Sequence, residues 1–537
     1  MIKTLQRKKH HSSCPRGIKE KKAMNTFLNG MKQVNNYAIT ENGALTHKST
    51  MDGLMDLFAM GAAYRTRTDE DVIVLFKQAF DEDPVYALKC LFYIRDVRGG
   101  QGERRFFRVA TKWLAKYDAE AMRRNLIHVP EFGRWDDLFV FIGTPLETDA
   151  LNIVKHQLAL DVQCKTPSLL GKWMPSENTS SAKTRKTAAK VRAFIGMTPK
   201  QYRKTLSVLR ARINVLERLM SEGRWDEIEF DKIPSKAGLK YKNAFARHDI
   251  ERMKKNPEVK SYADFAKDTE TKVNAKALYP YEVVDKATKV MRCSYWGGSY
   301  NTDMDGTDRL MVNKYWENLA DYFNGKTFNG LAVVDTSGSM RGSEASAPIN
   351  VAISLGMYCA ERAKGPFAGH YVSFSSRPQL IAVEGADFCD KVARIWRTNL
   401  CENTNIEATF DMLLNTAIQN HCSQDDLPQN IIVISDMEFD QGTGHYSWGY
   451  GRQNAWNPKT LMEQIRAKWA NHGYRLPHLI YWNVQARQNN IPEDIGCGLV
   501  SYVSGMSPSI FETIMSGKTG YDLMMEKLNS ERYAVIR

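Results

Sequence analysis

The chain has 537 residues of ordinary globular composition, 43% hydrophobic and 10% aromatic, which is too long for one hydrophobic core and predicts at least two domains. No apolar run reaches the roughly 18–20 residues that span a bilayer, and the charged N-terminus lacks the apolar region of a signal peptide, so we expect neither a membrane-spanning nor a secreted protein. The nine cysteines are scattered without a CxxC pair, which favours reduced thiols in a cytoplasmic protein, with the nucleus as the alternative compartment.

The formal net charge of +13 is concentrated in the first part of the chain. Residues 1–330 hold 57 Lys and Arg against 40 Asp and Glu, whereas residues 331–537 hold 17 against 21. A basic front part joined to a mildly acidic back part suggests that the front part binds a polyanion. The alternative is a solvated basic surface without a partner.

The first 327 residues are predicted to be a basic arm followed by a helical module. Residues 1–23 are polar and basic, which is typical of a disordered arm. In residues 24–327, apolar positions recur at three- and four-residue spacing, as in Leu54, Leu57 and Phe58, which predicts successive amphipathic helices. We expect a HEAT-like repeat module or a plain bundle, and the absence of a clean repeat period leaves both open.

An acidic motif near the end of this module begins like a calcium-binding EF-hand loop. Asn301, Asp303 and Asp305 stand at the first three ligand positions, with Gly306 next and Asp308 two residues further on, but Val312 stands where the bidentate glutamate is required. The motif therefore predicts a turn that caps a helix beginning near Asp308.

From residue 328 to residue 507, short apolar strands alternate with helices. The strands are predicted at residues 331–334, 369–374, 431–434 and 477–484. The helices between them are predicted within residues 349–364, 401–420 and 461–471. This alternation predicts a doubly wound parallel sheet covered on both faces. Residues 508–537 are expected to form one more helix and a tail.

Five oxygen-bearing side chains are predicted to meet at the carboxyl edge of this sheet, where open α/β sheets bind ligands. Asp335, Ser337 and Ser339 alternate in the loop after the first strand, and Asp436 follows the strand 431–434. Thr404 lies in a polar loop between them, with Thr398 and Thr409 as nearby alternatives. Carboxylates and hydroxyls, completed by water, suit a hard divalent cation such as Mg²⁺.

These residues resemble the metal-ion-dependent adhesion site of von Willebrand A domains. The resemblance implies that Asp335 and Asp436 act largely through bridging water, and that the sixth position is open for an acidic group of a partner. An aspartic protease would need Gly in place of Ser337, and a haloacid-dehalogenase phosphatase would need Asp there. The remaining alternative is that the loop only caps a helix.

The basic front part offers several candidate RNA contacts. Ten basic residues lie between positions 183 and 212, with no acidic residue between Glu177 and Glu217, and such a stripe can neutralise phosphates. A loop with three glycines and flanking arginines at residues 95–105 suits phosphate forks, or alternatively forms a helix–helix turn. Lys172-Trp173 and the segment 234–241 mix basic and aromatic residues, as single-stranded RNA sites do, although each is equally a loop with a buried aromatic anchor. The candidate RNA-binding residues are Arg95, Arg98, Arg104, Arg105, Lys172, Lys183, Arg185, Lys186, Lys190, Arg192, Lys200, Arg203, Lys204, Lys236 and Lys240.

The order of a basic helical module and a von Willebrand A-like domain resembles the TROVE-module proteins of the Ro autoantigen type. It is more similar still to an uncharacterised Ro-like family with the same C-terminal domain. The phrases at residues 94–104, 132–138, 172–176, 202–204 and 234–236 carry this resemblance. It implies a ring of helical repeats that binds structured and single-stranded RNA, closed or capped by the cation domain.

The sequence favours a binding protein over an enzyme. The eleven histidines form no HExxH motif and no evident catalytic triad, and a two-metal hydrolase would want more carboxylates. Our first hypothesis is therefore an RNA-binding scaffold whose Mg²⁺ site recruits either an acidic protein ligand or a structural element of the same chain. A Mg²⁺-dependent protein–protein adaptor without RNA and a Mg²⁺-dependent phosphodiester enzyme remain as alternatives.

Overall fold

The structure is a computed structural model that describes residues 31–32, 35–275, 277–291, 306–375, 377–398, 403–441, 459–497 and 499–537. The predicted basic arm, residues 1–23, lies outside the described residues. So do residues 301–305 of the EF-hand-like motif, but the helix expected after it is present and begins at Gly306.

The first part of the chain is helical, which confirms the expectation for that region. Its helices are α1 (Gly53–Met60), α2 (Asp69–Glu82), α3 (Pro84–Arg95), α4 (Arg104–Tyr117), α5 (Ala119–Asn125), α6 (Val129–Phe132), α7 (Glu147–Gln163), α8 (Leu170–Trp173), α9 (Ala182–Ile195), α10 (Pro199–Arg212), α11 (Leu216–Ser221), α12 (Ser235–Lys255), α13 (Tyr262–Lys267), α14 (Pro280–Val290) and α15 (Gly306–Glu317). Helix α2 shows why they form. The side chains of Thr68 and Asp71 cap its first turn reciprocally, and its apolar face, from Val72 to Phe80, is buried.

A short antiparallel hairpin precedes the helices and was not expected from the sequence. Strands β1 (Tyr37–Ile39) and β2 (Leu45–His47) pair with Tyr37 opposite His47. Strands of three residues are too short to show an alternating apolar pattern, which is why the prediction of helices from residue 24 missed them. The hairpin belongs to the front of the chain, yet it packs on the α/β domain, where His47 bridges to Ile491.

The second part of the chain is a six-stranded sheet covered by helices. Its strands are β3 (Gly330–Asp335), β4 (His370–Phe374), β5 (Gln379–Ala382), β6 (Asn430–Ser435), β7 (His478–Asn483) and β8 (Val500–Ser504), and its helices are α16 (Pro348–Arg362), α17 (Phe388–Ile395), α18 (Ile406–Gln419) and α19 (Leu461–Asn471). The strand order is β5-β4-β3-β6-β7-β8. Only the edge pair β4–β5 is antiparallel among these six strands. This arrangement confirms the doubly wound, von Willebrand A-like fold class.

Two strands of the sheet, β5 and β8, escaped the sequence prediction. Strand β5 is an edge strand, so three of its four residues are exposed and its apolar pattern is weak. Strand β8 has the sequence VSYVS, in which the small polar residues are buried against neighbouring elements rather than solvated. Its Ser504, for example, donates a hydrogen bond to the carbonyl oxygen of Phe58 in α1 at 2.9 Å.

The C-terminal segment is packed rather than a free tail, which corrects the expectation for residues 508–537. It forms α20 (Ile510–Ile514), α21 (Gly520–Leu528) and a final helical turn (Glu531–Tyr533). The Tyr533 side chain is fully buried, and its hydroxyl contacts the Asp96 carboxylate at 3.0 Å. Arg532 also binds Asp96 through two nitrogens. The end of the chain therefore fastens the α/β domain to the helical module.

Among the helices of the described ranges, none is both long and apolar enough to cross a membrane.

Candidate functional site

The loop after β3 brings three predicted site residues together. Asp335 ends the strand, and its Oδ1 accepts a hydrogen bond from the backbone N–H of Ser337 at 2.9 Å. The hydroxyls of Ser337 and Ser339 lie 3.0 Å apart. This compact turn brings a carboxylate and two hydroxyls together at the carboxyl edge of the sheet. Asp335 and Ser337 are almost fully buried there.

The neighbouring strand β6 brings a second carboxylate to this edge. Strands β3 and β6 are parallel, with Val334 opposite Ile434, so their carboxyl ends lie side by side. Ser435 donates to the Oδ2 atom of Asp335 at 2.5 Å, which connects the two strand ends directly. The next residue, Asp436, is 1% exposed, and its Oδ2 atom accepts no hydrogen bond from the described residues.

The electrostatics of Asp335 and Asp436 show that the negative forms of both side chains are disfavoured at this edge. Burial raises the pKa of Asp436 to about 8, with the nearby Asp335 carboxylate as the second cause. Burial likewise raises the pKa of Asp335, against the hydrogen bonds from Ser435 and Ser337. Two buried carboxylates that destabilise each other's charged form are the arrangement that a bound cation relieves.

Thr404 lies beside the segment that follows Asp436. Its carbonyl oxygen accepts from the N–H of Asp440 at 2.9 Å, and its hydroxyl accepts from the side chain of Asn42 at 3.0 Å. Of the two nearby alternatives, Thr398 donates its hydroxyl to the carbonyl oxygen of Ile395. Thr409 is buried within α18.

The donor set fits a hard cation better than a softer transition metal. The predicted set comprises two carboxylates and three hydroxyls, which would suit Mg²⁺ when water completes the shell. Within the described ranges there is no cluster of three or more His, Cys, Asp or Glu side chains that would hold a metal by themselves. A cation at this edge would therefore depend on the serine and threonine hydroxyls and on water.

Several residues at the edge were missed by sequence reasoning because they come from distant segments. Arg487 follows β7, and its Nε atom lies 3.6 Å from Oδ2 of Asp436. Its Nη1 atom lies 3.2 Å from the Glu41 carboxylate, which belongs to the turn between β1 and β2. Nothing in the local sequence of Arg487 or Glu41 marks either residue as part of the site.

The basic candidates on α9 and α10 form an exposed surface. Lys183, Lys186 and Lys190 follow one another at helical spacing and line an open cleft of about 390 Å³. Lys190 pairs with Glu147 at 2.7 Å, whereas the side chains of Lys183 and Lys186 have no ion pair with a described residue. Lys200 and Lys204 on α10 are likewise exposed and without an acidic partner among the described residues.

Other residues of the same stretch have structural partners. Glu177 pairs with Arg192 at 2.7 Å and lies 3.6 Å from Arg203. Arg185 donates to the carbonyl oxygens of residues 179 and 180, ahead of α9. The exposed lysines, rather than the arginines, are therefore the free charges of this surface.

The glycine-containing loop at residues 95–105 serves mainly to join elements, which corrects part of the RNA prediction. Arg95 is 1% exposed and binds the buried Asp137 carboxylate with two nitrogens, at 2.9 and 2.7 Å, so it cannot reach a phosphate. Arg98 donates to the carbonyl oxygen of Glu131, and Arg105 pairs with Asp69. Arg104 remains exposed.

An aromatic side chain lies among basic residues at α8. The guanidinium of Arg134 lies 4.5 Å from the ring centre of Trp173, and the Lys172 ammonium lies 5.9 Å from it. Arg134 was not among the sequence candidates. Of the two remaining candidates, Lys236 pairs with Glu282 at 2.9 Å, and Lys240 lies over the Tyr241 ring at 4.8 Å.

Comparisons with known proteins give two family matches. The model of a family described as Domain of unknown function (DUF2828) matches residues 40–163 and 171–326. A second model, Domain of unknown function (DUF7788), matches residues 329–534.

In sequence, the chain is similar to Uncharacterized protein L728 of Acanthamoeba polyphaga mimivirus. The two are 29% identical over 522 residues, which cover 90% of this chain and 85% of the viral protein. In structure, the chain is similar to the Ro (Rsr) protein of Deinococcus radiodurans with a TM-score of 0.47 and 15% identity, over 87% of this chain and 100% of the other.

Proposed function

The chain belongs to the family described as Domain of unknown function (DUF2828), and from its geometry we propose that it is an RNA-binding scaffold whose α/β domain holds one Mg²⁺ or another divalent cation. The observation that carries the RNA part is the surface formed by Lys183, Lys186, Lys200 and Lys204. These four exposed ammonium groups have no acidic partner among the described residues. Free ammonium groups bind a phosphate backbone and release its counterions.

The aromatic residue at α8 supports single-stranded RNA as the substrate class. Trp173 is half-buried and lies next to the basic groups of Arg134 and Lys172. An indole beside positive charges can stack on a base while the charges contact its phosphate. Double-stranded RNA would instead present its phosphates without an unstacked base.

The cation part of the proposal is supported by the buried Oδ2 atom of Asp436, which accepts no hydrogen bond from the described residues, and by the nearby Asp335 carboxylate. Asp335, Ser337, Ser339, Thr404 and Asp436 would supply the oxygen atoms. When bound, the ion neutralises the two carboxylates and accepts further oxygen ligands. We propose binding rather than catalysis, because a two-metal phosphodiester mechanism calls for more carboxylates than this set provides.

The RNA part is tested by fluorescence anisotropy with a labelled single-stranded RNA pool between about 50 and 200 mM salt. The test variant replaces Lys183, Lys186, Lys200 and Lys204 with Gln, and a matched control replaces Lys112, Lys116, Lys254 and Lys518, which are also exposed. Each single-strand phosphate contact contributes about 0.7 to the slope of log affinity against log salt, so the test variant should lose about 3 from that slope. The control should lose much less. No salt-sensitive binding by the wild type, or equal losses in both variants, would refute this part.

The cation part is tested separately by isothermal titration calorimetry with Mg²⁺. The wild type should bind one ion per chain. Asp436→Asn, which keeps the shape of the side chain but removes its charge, should abolish the binding. Wild-type protein that takes up no Mg²⁺, Mn²⁺ or Ca²⁺ would refute the cation site without affecting the RNA result.

A further inference from the structure

The turn of the N-terminal hairpin covers the cation edge of the sheet. This hairpin tip, residues 40–43, contacts the segment that follows Asp436 through several hydrogen bonds. The Thr40 hydroxyl donates to the carbonyl oxygen of Phe439 at 2.6 Å, and the Glu41 N–H donates to the Glu438 carboxylate at 2.8 Å. The backbone of Gln441 in turn donates to the carbonyl oxygen of Asn42 at 3.0 Å.

Asn42 shows that the tip reaches one of the predicted ligands, Thr404. Its side-chain nitrogen donates to the hydroxyl of Thr404 at 3.0 Å and to the carbonyl oxygen of Glu438 at 2.6 Å. A carboxylate from another protein would therefore have to displace the tip before it reached this side of the site. The preceding residue of the tip, Glu41, carries a carboxylate that lies 3.2 Å from Arg487.

One guanidinium connects the Glu41 carboxylate to the site. The Nη1 atom of Arg487 lies 3.2 Å from the Glu41 carboxylate, and its Nε atom lies 3.6 Å from the Asp436 carboxylate. Both carboxylates therefore lie beside the same guanidinium group. The backbone N–H of Glu41 is held by Glu438, two residues beyond Asp436. The Glu41 side chain is 40% exposed, so another rotamer that turns it from Arg487 toward an ion is not blocked by full burial.

We propose that Glu41 is the carboxylate that completes the cation site, so that the ion ties the N-terminal hairpin to the α/β domain within one chain. This inference rests on the proposed cation site and names its sixth ligand. Arg487 holds Glu41 beside the site when no ion is bound. The ion then forms an intramolecular cross-link between the two parts of the chain, and the site does not serve as a receptor for an acidic partner.

The loop that carries Arg487 also connects the two parts of the chain. Residues 484–491, which include Arg487, are bound by the helical module on the other side. Arg67 donates to the carbonyl oxygen of Arg487 at 2.7 Å, and the N–H of Ala486 donates to the carbonyl oxygen of Ala63 at 3.1 Å. The helical module therefore positions the loop that carries Arg487 at the edge of the sheet.

The experiment measures Mg²⁺ affinity of the full chain by calorimetry for wild type, Glu41→Gln and the control Glu70→Gln. Glu70 is an exposed glutamate in the first turn of α2, away from the hairpin tip in sequence. Loss of even an outer-shell partner costs about 10–100-fold in metal affinity, so Glu41→Gln should bind at least about tenfold more weakly. Glu70→Gln should bind like the wild type.

A second measurement separates ligation from a structural effect. Hydrogen exchange of residues 36–47 should slow when Mg²⁺ is added to the wild type, and this protection should be lost in Glu41→Gln. Equal Mg²⁺ affinities for wild type and Glu41→Gln, or no protection of the hairpin by Mg²⁺, would overturn the inference while leaving the cation site standing. If the wild type binds no Mg²⁺ at all, the cation site and this inference fall together.

Discussion

The strongest stability prediction concerns the buried carboxylate of Asp137. This residue is fully buried and binds Arg95, which is itself 1% exposed, through Nε at 2.9 Å and Nη2 at 2.7 Å. Its other oxygen accepts from Nε of Arg108 at 2.6 Å. The substitution Asp137→Asn keeps the size of the side chain, removes its charge and leaves the Arg95 guanidinium buried without a counter-ion.

The expected cost follows from the burial of both partners. Breaking a buried ion pair on one side costs about 3–5 kcal/mol, because the remaining charge is uncompensated. The Asn side chain also places an NH₂ group next to a guanidinium, so two donors face each other. A small domain is stable by only about 5–15 kcal/mol, so this single change should remove a large share of the stability of the helical module.

The neighbouring residue supplies a matched control. Asp136 binds the same Arg108, through Nη2 at 2.7 Å, but its side chain is 23% exposed and Arg108 is 30% exposed. Screening limits such partly exposed pairs to about 1 kcal/mol or less, so Asp136→Asn should be nearly neutral. Urea unfolding followed by circular dichroism compares the two variants with the wild type at one pH and salt concentration.

A double-mutant cycle tests the physical cause. If the loss arises from the stranded Arg95 charge, Arg95→Met should cost at least about 1 kcal/mol less in the Asp137→Asn background than in the wild type. Equal destabilisation by Asp136→Asn and Asp137→Asn, or additive effects of Arg95→Met and Asp137→Asn, would refute the reasoning.

Three further predictions use other parts of the chain. Burial lowers the pKa of His478 to about 4, whereas its pKa in the unfolded state is near 6.5, so the unfolded state binds more protons between these pH values. Lowering the pH from about 6.5 to 4 should therefore reduce the unfolding free energy of the wild type by about 3 kcal/mol more than that of His478→Asn. Parallel pH profiles of the two proteins in urea unfolding would contradict this. Deletion of residues 531–537 removes the buried Tyr533 and Ile536 and the Arg532 partner of Asp96. Thermal unfolding should therefore show that the free energy of unfolding falls by at least about 3 kcal/mol. An unchanged melting temperature would mean that this segment does not hold the two domains together. Gly102 has φ +66°, and a Cβ there would lie 2.1 Å from the Tyr279 hydroxyl, so Gly102→Ala should destabilise by about 1–3 kcal/mol in the same assay. Gly143 has φ +81°, but a Cβ there would meet no atom within 4 Å. Gly143→Ala therefore measures the backbone strain alone, and the difference between the two variants measures the clash.

The candidate site shows how far sequence reasoning extends. Asp335 and Asp436 were predicted to approach each other because each follows a buried strand of a parallel sheet, and the structure places them at one edge. That they bind a cation stays a prediction. Arg487 and Glu41 were not predicted, since they are 446 positions apart and meet only through packing of the hairpin on the α/β domain.

The basic residues show what the sequence could not predict. From the sequence, Arg95 and Lys183 were equivalent candidates, because both belong to basic stretches. The structure buries Arg95 against Asp137 and leaves Lys183 exposed. Composition predicts that a region is basic, but it cannot tell a charge that is paired inside the fold from one that is free on its surface.

The sequence by itself determined the fold class, because the spacing of apolar residues is a local property that separates buried strands from amphipathic helices. It also determined which side chains stand at the strand ends. Only the tertiary structure decided which distant segments cover those ends, which charges are paired, and that the last seven residues bind Asp96. These outcomes depend on contacts between residues hundreds of positions apart, and such contacts are set by packing rather than by any local pattern.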